Sequence, residues 1–152
     1  MNKITLSPIY IIGISVRTTS QNGQEQKDIG LLWQTFFQNG ILEKIPNRKS
    51  NAIYAIYTDY ETDFTGPYTT VLGCSVHNLD SIPEGMVGHE IKAAHYLKTT
   101  ASGDINAGFV SQEWQKIRQM PIARTYTSDF EEYLNPLQDP ANASVNIYIA
   151  VP

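Results

Sequence analysis

The sequence is poor in cysteine, in basic residues and in long apolar runs, and each scarcity excludes something. Cys74 is the one cysteine in 152 residues. That rules out an intrachain disulfide and fits a reducing cytoplasm. Within its apolar run it reads as a small core residue rather than a nucleophile. No segment approaches the ~20 consecutive apolar residues of a membrane-spanning helix. Lys3 followed by Ile9-Tyr10-Ile11-Ile12-Gly13-Ile14 faintly imitates a signal peptide. The run is short, however, and passes into Val16-Arg17-Thr18 without a small-residue cleavage site, so it reads as a strand. Eleven Lys and Arg stand against fifteen Asp and Glu, a formal net charge of −4. This argues against nucleic-acid binding, which shows a basic patch. The cluster of Lys44, Arg48 and Lys49 reads as a solvated loop. With 41% hydrophobic and 17% charged residues, the chain is that of an ordinary globule, and its length fits one domain.

Catalytic signatures are equally scarce. There is no phosphate loop, nucleophile elbow or dinucleotide fingerprint. His89-Glu90-Ile91-Lys92-Ala93 has alanine where a zinc helix of the H-E-x-x-H type needs its second histidine. His77, His89 and His95 show no ligand spacing. No catalytic residue, metal or cofactor is therefore indicated. The sequon Asn142-Ala143-Ser144 carries no meaning without secretion.

Aromatic residues are what the chain has in quantity: nine Tyr, five Phe and two Trp. Tyrosine suits places where one end of a side chain meets apolar matter and the other meets water or a ligand. In chain order, 9–17 reads as a strand, and Asn22-Gly23 as a turn. Asp28 caps a helix with Ile29, Leu32, Trp33, Phe36 and Phe37 on one stripe. Gly40 weakens that helix near its end, and Pro46 stops it. Strands follow at 52–60 and 68–76. The pattern then returns: a strand over 89–100, Asp104 capping a helix with Ile105, Phe109, Val110, Trp114 and Ile117, Pro121 as its stop, and strands over 123–134 and 144–151. This is a βαββ unit written twice, with pseudo-repeats of about 8–80 and 86–152. Asp28-Ile29 and Trp33 recur as Asp104-Ile105 and Phe109, 76 residues on (104 − 28). At the same offset Tyr54 and Tyr57 match Phe130 and Tyr133, and Ala55 matches Glu131. The predicted class is α+β: an antiparallel curved sheet with pseudo-two-fold symmetry, two main helices and a central ligand cleft at the interface of the halves.

The most informative stretch is Arg124 to Asn135, read as a strand closed by Asn135-Pro136. Alternation puts Asp129, Glu131 and Tyr133 on one face. Phe130, Glu132 and Leu134 take the other, which is expected to meet the core. Glu131 then lies either on plain solvent surface or on the floor of a pocket. In the last strand Val145, Ile147, Ile149 and Val151 form an apolar face, which leaves Asn146 and Tyr148 for the cleft. Tyr54 and Tyr57 fall on opposite faces of an ideal strand, so at most one of them should face the cleft unless a bulge intervenes.

Four segments together carry a family resemblance: Trp33 in the first helix, Ile53-Tyr54-Ala55-Ile56-Tyr57-Thr58-Asp59-Tyr60-Glu61, Phe130-Glu131-Glu132-Tyr133-Leu134, and the closing Val145-Asn146-Ile147-Tyr148-Ile149-Ala150-Val151. Over nearly its whole length the chain resembles the GyrI-like, AraC-type effector-binding superfamily. That group spans drug-binding domains of multidrug-responsive regulators, gyrase-inhibitor relatives and stand-alone binders, including mobile-cassette types. The resemblance implies an aromatic pocket between the halves with a glutamate at its floor, taking amphipathic, cationic aromatic compounds. By motif position the glutamate is Glu131. The implied wall residues are Trp33, Tyr57 and Tyr148, with Phe36 and Tyr54 beside them. Many relatives carry a second acid where Asn146 stands, which implies a less negative pocket here. No helix-turn-helix precedes the first strand, so direct DNA binding is not expected. Two other roles fit the resemblance: a hydrolase of electrophilic toxins using Glu131 with Tyr57 or Tyr133, and a gyrase-inhibitor-like module that binds a protein partner through its outer surface.

Overall fold

The computed structural model describes residues 1–134 and 139–152. The Asn135-Pro136 turn expected from the sequence lies outside the described residues. Eight strands form one antiparallel sheet: β1 (Asn2–Leu6), β2 (Ile9–Thr19), β3 (Ile53–Thr58), β4 (Pro67–Val76), β5 (Val87–Ile91), β6 (Ala94–Gly103), β7 (Ser128–Tyr133) and β8 (Ala143–Val151). Among the described residues three α-helices accompany them: α1 (Gln24–Gln38), the short α2 (Ile41–Lys44) and α3 (Phe109–Gln119). No helix among the described residues is long and apolar enough to cross a membrane.

The strand order is β1-β6-β8-β7-β3-β4-β2-β5. It reads the same from either end once each strand is exchanged for its counterpart in the other half. The duplication expected from the sequence is therefore a pseudo-two-fold arrangement whose axis passes between β3 and β7. Each half is a βαββ unit preceded by a short strand lent to the other half. β1 pairs with β6, and β5 pairs with β2.

Several boundaries differ from the sequence reading, each for a local reason. The expected strand over 89–100 is two strands, broken at Lys92-Ala93, because β5 and β6 join different halves of the sheet. β1 carries only the short alternation of Ile4 and Leu6 and exists through its pairing with β6 of the other half. Helix α1 starts before Asp28, directly after Asn22 and Gly23, both in the left-handed region at φ 56° and 70°. Asp28 instead accepts hydrogen bonds from Thr18 Oγ1 and Gln24 Nε2 at 3.0 and 3.1 Å. Asp104 caps the 3-10 turn ahead of α3 by accepting from the Asn106 amide. The strand expected to begin near Ala123 begins at Ser128, because Tyr126 adopts φ 56°. A β-strand cannot run through that conformation.

Both faces of the sheet are buried. Under the helices, Leu32 and Phe36 of α1 and Ile117 of α3 pack on Ile53, Ala55, Leu72, Val145, Ile147 and Ile149. The opposite face holds Ile11, Tyr54, Ile56, Val71, Ile91, Tyr96, Phe130 and Tyr148. In the first half the neighbouring strands β2 and β4 bring Gly13 and Gly73 into direct register. A Cβ on Gly73 would stand 2.2 Å from the Ile12 carbonyl oxygen, so only glycine fits there.

Candidate functional site

A cavity of about 580 Å³ opens between α1, α3 and the centre of the sheet. This volume lies within the range of small-molecule sites. Helix α1 contributes Glu25, Ile29, Trp33 and Phe37, and α3 contributes Val110, Trp114 and Arg118. The sheet supplies Tyr57, Glu131 and Tyr133, and the turn after β3 adds Tyr60 and Phe64.

Glu131 forms the floor and is 1% exposed. It accepts from Tyr57 Oη at 2.7 Å and from Trp114 Nε1 at 2.6 Å, both on Oε2. Tyr133 Oη donates to Oε1 at 2.6 Å. All three donors are neutral. Among the described residues, ion pairs join Arg118 to Glu25 and Arg124 to Asp129, and none reaches Glu131. Burial disfavours its charge and pushes its pKa above the ordinary carboxylate value, although the three hydrogen bonds pull the other way. The hydroxyls of Tyr57 and Tyr133 are pushed well upward by burial and by the neighbouring carboxyl group, so both remain donors. The rings interlock around the floor. Trp33 meets Tyr133 edge-to-face at 4.9 Å between centroids, and Trp114 meets Tyr57 at 5.7 Å.

Of the residues singled out from sequence, Glu131, Trp33 and Tyr57 line the cavity, whereas Phe36, Tyr54 and Tyr148 do not. Phe36 lies on the inner stripe of α1, fully buried against the sheet, while its neighbour Phe37 is exposed toward the cavity. Tyr54 and Tyr148 lie on the opposite sheet face. There they donate to Glu132 at 2.8 and 3.3 Å, and Tyr148 stacks on Phe130 at 4.4 Å. The last strand has the opposite parity to the one expected, and the register shows why. Ile147 pairs with Glu131 and Tyr148 with Phe130. Directly paired residues share a face, so the apolar run Val145, Ile147, Ile149 sits on the Glu131 side. Asn146 is likewise on the far face. It donates to Glu132 at 3.0 Å and accepts from Thr100 Oγ1 at 2.7 Å. Its amide therefore does not set the charge of the cavity.

Trp114, Tyr60, Phe64, Tyr68, Arg118 and Arg124 are cavity residues that the sequence reading does not assign to the site. Trp114 is visible on the apolar stripe of the second helix, but nothing there distinguishes a cavity wall from core. Arg124 is held by a buried pair. Its Nη2 lies 2.7 Å from Asp129 Oδ2, with side chains 5% and 0% exposed. Tyr60 Oη and the Ala150 amide also donate to Asp129, at 2.7 and 2.8 Å. The Arg124 guanidinium stacks over Tyr126 at 4.5 Å.

Residues 4–151 match the family of integron-associated effector binding proteins, Cass2. An integron cassette protein from the mobile metagenome of Vibrio cholerae superposes with a TM-score of 0.77 at 29% identity, covering 99% of this chain and 95% of that one. SAV2435, solved bound to tetraphenylphosphonium, superposes at 0.81 with 17% identity, covering 99% and 93%. At that identity the likeness concerns the fold. The Bacillus subtilis (strain 168) protein YobU, whose name proposes a transcriptional regulator, is 28% identical over 143 residues, covering 91% of this chain and 89% of its own. By the match over nearly its full length, the chain belongs to the integron-associated effector binding protein family.

Proposed function

We propose that this effector-binding chain captures amphipathic, cationic aromatic compounds in the cavity above Glu131, as a sensor or a sequestering protein. The observation that carries the reading is a buried carboxyl group with three neutral donors and no cationic partner among the described residues. An ionised carboxylate in such surroundings is costly, and an organic cation supplies the missing charge. A charge-assisted contact contributes roughly 1.5–3 kcal/mol. Contact with the faces of Trp33, Trp114 or Tyr57 adds about 0.5–2 kcal/mol. After the costs of association, micromolar affinity near about −8 kcal/mol is expected. The tetraphenylphosphonium held by SAV2435 supports the choice of ligand class. Selection by charge and ring area rather than by a hydrogen-bond pattern gives broad specificity.

Both tryptophans line the cavity, so a fluorescence titration tests this directly. A triarylphosphonium cation should quench saturably in the micromolar range, and a neutral triaryl analogue should bind at least about tenfold more weakly. Equal binding of the two compounds removes the reading. The hydrolase alternative uses the same carboxyl group with Tyr57 and Tyr133. Those hydroxyls already donate to Glu131, which leaves it less free to take a proton from water, so the geometry favours binding over turnover.

A further inference from the structure

The cavity is not lined for a cation alone. Arg124 spends only Nη2 on Asp129, and its Nε and Nη1 are buried without a hydrogen-bond partner among the described residues. Arg118 reaches Glu25 through Nη2 at 3.5 Å, and its Nε is buried and unpartnered as well. Both side chains line the cavity, and both guanidinium groups lie over Phe64, at 5.1 Å for Arg118 and 5.7 Å for Arg124. Buried donors left without acceptors are uncommon and costly. Three of them on one wall point to an acceptor that the described residues do not supply. Trp114 connects this wall to the floor: its Nε1 donates to Glu131, and its ring lies 5.8 Å from the Arg124 guanidinium carbon.

We propose that the cavity takes amphoteric ligands, with a cationic group on Glu131 and a carboxylate or similar oxyanion on the free N–H groups of Arg118 and Arg124. Phe64, on the turn between β3 and β4, is the side chain that an entering acceptor displaces. Charge-assisted bonds from guanidinium to an oxyanion are shorter and stronger than neutral ones. Asp129 and Glu25 already balance the two arginines, so the oxyanion is held by hydrogen bonds from their N–H groups, while the cationic group offsets the charge of Glu131. The inference rests on the cation reading of Glu131 and adds to it a further recognition element of opposite sign.

The test is calorimetric titration of the whole chain at neutral pH with butyltriphenylphosphonium and (4-carboxybutyl)triphenylphosphonium, which differ by one carboxylate. In the wild type the carboxylated compound should bind about tenfold tighter or more, the worth of roughly one charge-assisted hydrogen bond. In Arg118→Gln and Arg124→Gln the ratio of the two dissociation constants should fall toward one. The wild-type ratio decides the matter even where a variant fails to fold. A ratio of one or below, with butyltriphenylphosphonium still bound, overturns this inference and leaves the cation reading standing. Binding of the carboxylated compound alone places recognition on the arginines and not on Glu131, which overturns the cation reading and with it the amphoteric one. Binding of neither compound overturns both.

Discussion

Ala55 and Glu131 face each other directly across the two central strands. They are also the residues that the internal repeat places at equivalent positions. The pseudo-two-fold axis thus passes through this pair, and a position on the axis has room for one acid. A carboxylate in place of Ala55 would stand about 4.5–5.5 Å away on the same face, buried and repelled. The asymmetry of the site follows from its place on the axis: one half supplies the carboxyl group and the other supplies space.

The raised pKa of Glu131 makes stability depend on pH in a definite direction. Its folded-state pKa lies above the ordinary value of 4.5, so the folded protein holds the proton more tightly than the unfolded chain. The contribution of this group is fully present below pH 4.5 and is lost as pH rises through the folded-state value. Glu131→Gln should remove that decline from a series of urea unfolding curves. Cation binding has the opposite trend, since it favours the ionised form and releases a proton. Affinity should rise with pH over the same window, visible as buffer-dependent heats in calorimetry.

Tyr57→Phe and Tyr54→Phe separate the two faces of the sheet. Each substitution deletes one hydroxyl and keeps the ring. Tyr57 donates to Glu131, and Tyr54 donates to Glu132 on the far side. The first change should alter cation affinity by about tenfold or more, the worth of one hydrogen bond to a charged group, roughly 1.5–3 kcal/mol. The other should change stability while affinity stays within about twofold, because Tyr54 does not line the cavity. Parallel titrations of the two variants decide it.

Arg124→Ala should destabilise the fold by about 3–5 kcal/mol, because it leaves the carboxylate of Asp129 buried without its counter-charge. Chemical denaturation measures this. A loss below about 1 kcal/mol would mean that the pair behaves like an exposed one.

Gly73→Ala tests the close approach of β2 and β4 at the Gly13–Gly73 pair. The added methyl group would collide with the Ile12 carbonyl oxygen, so a loss of roughly 1–3 kcal/mol from overpacking is expected in thermal or urea unfolding.

Much of the fold is legible because periodicity survives in the long elements: the stripe of Leu32 and Phe36 in α1, and the alternation of Phe130 against Glu131 and Tyr133 in β7. Alternation divides a strand into two faces without saying which one meets the helices. Here both faces are buried, so the pattern alone sets Val145, Ile147 and Ile149 away from Glu131 although they share its side. The same ambiguity carries Tyr148 into the expected site. β1 and the break at Lys92-Ala93 are illegible for a different reason, since they depend on pairing with the other half of the chain. The left-handed Tyr126 has no signal in propensity. Arg124 reads as a strand residue until the turn at Tyr126 sets it beside Asp129. Glu131 is found through the motif around it. Trp114, its partner on α3, becomes visible only once the helix is laid over the sheet.

The measurement that bears most directly on the central claim compares one lipophilic cation with its neutral analogue on the wild type and on Glu131→Gln. Removal of the carboxylate should weaken the cation by about tenfold or more, at least ~1.4 kcal/mol, and leave the neutral compound where it was. Equal cation affinity in the two proteins would contradict the account, because the buried carboxylate would then play no part in recognition.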